Sequence, residues 1–157
     1  HSTSRRQRQM CIRDRNEELL AESVLSQEEQ QEQMEQVEAE AERSRHAARE
    51  STEMILGVPE SYWYSLNEID GGTLAQELSI PMLFLQGDAD FQVYPDKDYA
   101  MWQELLDGKE NASFRLYEGL NHMFMPTSGK RDVTEYDAQA HVDGEVLDDI
   151  ADWSGAL

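Results

Sequence analysis

Two side chains with complementary proton chemistry, Asp90 and His122, stand 32 positions apart, each in a loop that follows a short apolar run. An imidazole can take the proton of a hydroxyl, and a carboxylate at its other ring nitrogen holds it in one tautomer and stabilises the imidazolium that forms. A lone loop histidine is ordinarily a surface residue. A partner acid loop reverses that reading. Asp88 competes with Asp90 for the acid role, although its position directly after Gly87 suits a turn-forming side chain. Asp88, Asp90 and His122 also match the preferences of several divalent ions, but a metal site would need a further ligand that the sequence does not identify, so no metal is expected. His46 lies in an acidic helical stretch and reads as solvated, and His141 precedes a terminal helix and reads as a capping or packing residue.

The elements that must position the pair can be read in order. Ile80-Pro81-Met82-Leu83-Phe84-Leu85 is too short for a core helix and is closed by Gln86-Gly87, which predicts a strand buried on both faces. A helical pattern runs from Asp96 to Leu106, with Asp96 and Asp98 at its start and Tyr99, Trp102, Leu105 and Leu106 on its buried side. Asp107-Gly108 ends it, and Ser113 to Tyr117 gives a second strand running into Glu118 to Phe124. Strand, helix, strand in this spacing is a parallel crossover unit. Asp90 and His122 would then leave the carboxyl ends of neighbouring strands, where open α/β sheets build their sites.

At these residues the chain resembles the C-terminal part of an α/β-hydrolase. Gly87-x-x-Asp90-x-x-Val93 and Gly119-x-x-His122 are similar to that family's acid and histidine loops, in its order of serine, acid, histidine. The resemblance spans roughly Leu56 to Trp153 and is strongest toward bacterial peptidase-like and esterase-like hydrolases related to dienelactone and acyl-peptide hydrolases. It implies that Asp90 is the acid and His122 the base of a Ser-His-Asp triad acting on an ester, amide or peptide acyl bond, with no cofactor. No Gly-x-Ser-x-Gly occurs in the 157 residues, and Ser61, Ser65, Ser79 and Ser113 lack the glycine-flanked elbow. The chain is therefore expected to be a C-terminal fragment whose serine and oxyanion hole lie elsewhere, inactive alone. Such a fragment should expose an unpaired sheet edge and tend to aggregate.

The remaining segments frame this α/β unit. Residues 1–15 hold five Arg and one Asp, a net of +4, and read as translated sequencing adapter, a non-native or disordered tail that includes the single cysteine, Cys11. Residues 16–56 hold twelve Glu and three Arg, a net of −9, with a helix-favouring composition as far as Ser51. Leu20, Val24, Met34, Val37, Ala41 and Ala48 make a stripe broken by Gln27 and Gln31, as in a solvated helix or a lid-like insertion. Met54 to Pro59 marks the boundary to an α/β unit over 57–157, with Gly57 stopping the helix. Tyr62 and Trp63, in Ser61-Tyr62-Trp63-Tyr64, read first as packing and, through the resemblance, as a wall of the substrate pocket. Thr73 is a candidate cap for a helix over Leu74 to Leu78, and Val142, Val146, Ile150 and Trp153 form the docking face of a terminal helix ahead of a frayed Ser154 to Leu157.

A formal charge of −20 argues against nucleic acid or an anionic membrane as partner, and no apolar run approaches a bilayer span. The expected partner is a small ester or peptide substrate. Oligomeric state and compartment are not indicated. A reading from another class is an acidic helical interaction module fused to a small α/β domain in which Asp90 and His122 are incidental.

Overall fold

The computed structural model describes residues 25–156 together with Asn16 and Leu20. The expected tail over 1–15, Val24 of the stripe and Leu157 lie outside the described residues. The chain divides between Leu74 and Ala75 into two compact units.

In the first unit, helix α1 (Gln27–Arg45) begins at a capping box: Glu29 N–H donates to the Ser26 hydroxyl at 3.3 Å, and Ser26 N–H donates to the Glu29 carboxylate at 2.9 Å. Met34 and Val37 are half-buried and Ala41 and Ser44 are buried, a narrow stripe with the expected spacing. The helix stops at Arg45 rather than near Ser51, and Ala48 is exposed. The Asn67 amide takes the carbonyls of Ser44 and Arg45 at 2.6 and 3.4 Å, supplying donors that the last turn lacks.

Gly57 does not stop this helix. It is the second turn residue of a hairpin between β1 (Met54–Ile55) and β2 (Val58–Pro59), where Leu56 and Gly57 both have positive φ, 49° and 78°. Two residues of that hand match the right-handed twist of the flanking strands. Helix α2 (Glu60–Asn67) follows, and its Trp63 Nε1 donates to the Ile55 carbonyl at 2.8 Å. Ile55 is fully buried, which stabilises the unit by about 1.5–3 kcal/mol.

Helix α3 (Gly71–Glu77) crosses the division between the units. Asp70, not Thr73, caps it: its carboxylate accepts from the N–H groups of Gly72 and Thr73 at 3.1 and 3.3 Å. Thr73 lies inside the first turn and itself needs a cap.

The second unit is a strand-helix-strand crossover with a terminal helix. Strand β3 (Met82–Gly87) pairs in parallel with β4 (Ala112–Tyr117), from Met82 opposite Ala112 to Gly87 opposite Tyr117. The first strand starts two residues later than its apolar run. Pro81 has no N–H to give, so the ladder opens with Met82 N–H donating to the Asn111 carbonyl at 2.8 Å, and Ile80 is left exposed. Between the strands, a π-helical turn (Pro95–Tyr99) leads into helix α4 (Ala100–Leu105). This element covers one face of the sheet: Trp102 packs on Phe84 at 5.3 Å between ring centroids, and Tyr99 meets Phe114 edge-on at 5.6 Å.

Helix α5 (Gly144–Gly155), capped by Asp143, covers the other face and runs through Ser154 and Gly155, which were expected to fray. Its Asp149 accepts from the Tyr117 hydroxyl at 2.9 Å. Burial, with help from that hydrogen bond, pushes the Tyr117 phenol up to about 12, so it remains a donor. Val146 is buried against Tyr117 and Leu120, but Val142 and Ile150 are exposed and Trp153 is half-buried. The expected four-residue docking face is reduced to its centre because the sheet has two strands among the described residues, too few to cover a whole helix. For the same reason Met82 to Leu85 are half-buried instead of enclosed on both faces.

Candidate active site

Gly87 ends β3 where the histidine loop crosses it. A Cβ there would overlap the Leu120 carbonyl oxygen and lie 2.7 Å from its carbon and 2.9 Å from the Asn121 oxygen. Only a glycine lets the two backbones approach this closely. The contact is tied by Ala89 N–H donating to the Leu120 carbonyl at 3.1 Å and by Gly119 N–H donating to the Asp88 carboxylate at 2.6 Å. Asp88 therefore serves the junction between the loops and is not the partner of the histidine.

Asp90 has that role. It is buried, 5% exposed, and each carboxylate oxygen has two donors. Oδ1 accepts from the N–H groups of Gln92 and Val93 at 2.8 and 2.9 Å. Oδ2 accepts from Gln86 Nε2 at 2.9 Å and lies 2.9 Å from His122 Nδ1. Charge-assisted bonds of this number make the burial of a carboxylate tolerable. Because Nδ1 faces a carboxylate, the proton belongs on Nδ1, which leaves the Nε2 lone pair as the basic site. The His122 side chain is 38% exposed. No hydrogen bond to its Nε2 is made among the described residues, so the arrangement can receive a proton from a group brought to that nitrogen.

Around His122 the loop is shaped by its neighbour. Asn121 is 1% exposed, and its side-chain oxygen accepts from the N–H groups of Met123 and Met125 at 3.0 and 3.2 Å. The Asn121 amide reaches Glu135 at 3.4 Å. Glu135 sits in a 3-10 turn (Val133–Asp137) and is 3% exposed. It accepts from Ser128 N–H and hydroxyl at 2.9 and 2.8 Å and from Lys130 N–H at 3.0 Å. Burial alone pushes its carboxyl up, but the hydrogen bonds from Thr127, Ser128 and Asn121 together outweigh it and hold Glu135 down at about 2. The polar stretch 126–136 thus contains a buried anchor, while Gly129, Lys130 and Arg131 within it are exposed. Tyr136 beside it stacks on Phe91 of the acid loop, 5.7 Å between centroids.

The structure brings Asp90 and His122 together. Tyr62 and Trp63 belong to the first unit, where Tyr62 is half exposed and the Trp63 N–H is committed to Ile55. Sequence reasoning missed Gln86, Asn121 and Glu135. Gln86 carried a signal, a polar residue closing an apolar strand one position before the glycine, and Asn121 carried adjacency to the histidine. Glu135, among thirty-three acidic residues, carried none. Among the described residues, no three His, Cys, Asp or Glu side chains are grouped to hold a metal ion, and no helix is long and apolar enough to cross a membrane.

With the geometry established, comparison adds a relative. The chain is 41% identical over 101 residues to the esterase EstD of Thermotoga maritima. The chain is related to an esterase. The match covers 64% of this chain and 24% of that protein, so the chain spans about a quarter of the length of the curated relative it matches. No family model matches, and no solved structure matches. The parallel two-stranded sheet with helices on both faces is compatible with an α/β fold, as the relationship suggests.

Proposed function

We propose that this chain carries the acid and the base of a serine hydrolase acting on carboxylic esters, and that the nucleophilic serine and oxyanion donors come from sequence outside these 157 residues. Asp90 orients His122 and stabilises its protonated form, and His122 Nε2 takes the serine proton and then returns it to the leaving alcohol. The observation that carries this reading is the 2.9 Å contact between His122 Nδ1 and the buried Asp90 Oδ2, made by loops at the carboxyl ends of adjacent parallel strands. The relationship to an esterase favours an ester over an amide or peptide bond as substrate. The absence of Gly-x-Ser-x-Gly supports a serine supplied elsewhere and an isolated chain without turnover.

The test is hydrolysis of p-nitrophenyl acetate by a longer gene product that joins these residues to an upstream serine elbow. The product should turn over the ester, and His122→Ala should lower kcat by about a thousandfold or more. Unchanged turnover in His122→Ala would exclude the assignment. The isolated chain should match its own His122→Ala variant at background.

A further inference from the structure

Gln86 is a polar side chain placed where the strand pattern calls for an apolar one. It is 7% exposed, on the same face of β3 as Phe84. Its Nε2 has three acceptors within reach: Asp90 Oδ2 at 2.9 Å, the Gly87 carbonyl at 3.1 Å and the Val93 carbonyl at 3.1 Å. Three acceptors around one atom fix the amide orientation, since the reverse would set its oxygen against a carboxylate and two carbonyls. Gln86 thus spans the acid loop from its first residue to its last.

The Asp90 oxygen that it meets is the one that meets His122 Nδ1. The two backbone donors on Oδ1 locate that oxygen but leave the carboxylate plane free to tilt about it, a torsion that is intrinsically soft. A second donor on Oδ2 removes that freedom. We propose that Gln86 is a positioning residue of this site, whose amide fixes the Asp90 carboxylate plane so that Oδ2 lies in line with the His122 Nδ1–H bond. The inference rests on the reading of Asp90 and His122 as acid and base.

The test is proton NMR of the chain as it stands, which needs no nucleophile. In the unmodified protein the Nδ1 proton of His122 should give a resolved signal sheltered from water, with a nuclear Overhauser contact to the Gln86 side-chain amide, because both donors converge on one oxygen. Gln86→Met keeps the length and removes the donor. It should abolish the Nδ1–H signal through exchange with water while the backbone amide signals of 82–87 and 112–117 stay in place. A Gln86→Met protein with the Nδ1–H signal and its exchange unchanged overturns the proposal, as does an unmodified protein with a clear Nδ1–H signal but no contact to Gln86. The second measurement decides the matter even where the substitution unfolds the chain. A protein with no Nδ1–H signal that Asp90→Asn can remove defeats the acid-base reading itself, so the two failures are told apart.

Discussion

Asp90 of the acid loop, residues 87–93, accepts four hydrogen bonds, two of them from its own loop, whereas the His122 ring of the histidine loop, 119–127, makes one, to Asp90, and the side chain of its neighbour Asn121 bonds the loop backbone instead. Asp90 is 5% exposed and its partner's side chain 38%. The difference suits the roles proposed for the two groups. An orienting carboxylate works best immobile and dry, where its field is least screened. A general base must be reachable on one nitrogen and fixed at the other. The histidine loop meets both demands by ordering its main chain through Asn121 and Glu135 and leaving the ring half open.

Four substitutions break or sharpen this contrast, and their expected effects on stability descend in order. Gly87→Ala attacks the junction that both loops share. Its Cβ meets backbone, which cannot swing aside, so denaturant unfolding should show a loss of more than about 3 kcal/mol or no cooperative transition at all. A loss below about 1 kcal/mol would mean that the loops are not so closely apposed.

Asp90→Asn strikes the rigid half. The new amide turns its N–H groups either toward Gln86 Nε2, even where the His122 ring changes tautomer to accept, or toward two backbone N–H groups, so a buried donor faces a donor either way and about 2–3 kcal/mol should be lost in chemical denaturation. Glu135→Gln strikes the support of the histidine loop and should cost on the order of 1 kcal/mol at neutral pH. Its signature is pH dependence. The folded-state value of about 2 lies below the ordinary 4.5, so the carboxylate stabilises the native state fully above pH 4.5 and loses that contribution as the pH falls toward 2. The unmodified protein and Glu135→Gln should therefore converge in thermal stability across that window, and a constant gap would show that Glu135 does not bind protons differently on folding. His122→Ala should have the smallest effect, within about 1 kcal/mol, because the ring is half-exposed and the Asp90 oxygen it leaves keeps the Gln86 donor. A large loss would place His122 among the structural residues.

Much of the site was legible because its logic is local. Glycine at 87 and 119, an acid three residues after the first and a histidine three after the second define loops whose position follows from parallel strand connectivity. The parallel pair and its crossover helix were legible too, through the apolar run and the Tyr99, Trp102, Leu106 spacing. Other features depended on contacts distant in sequence. The end of α1 is set by Asn67, twenty-three residues beyond Ser44, and nothing near Arg45 announces it. Glu135 becomes a buried anchor because Ser128 and Asn121 turn toward it, a property of the folded loop and not of its polar composition. Gly57 was misread because a glycine after a helical stretch and a glycine in a two-residue hairpin look alike until Ile55 and Val58 pair.

The most direct measurement is of the His122 ring nitrogens by nitrogen-15 NMR above the imidazole titration. Free imidazole side chains favour the proton on Nε2, so a predominantly Nδ1-protonated ring that reverts in Asp90→Asn is what the 2.9 Å contact predicts. A ring protonated on Nε2 in both proteins would contradict it.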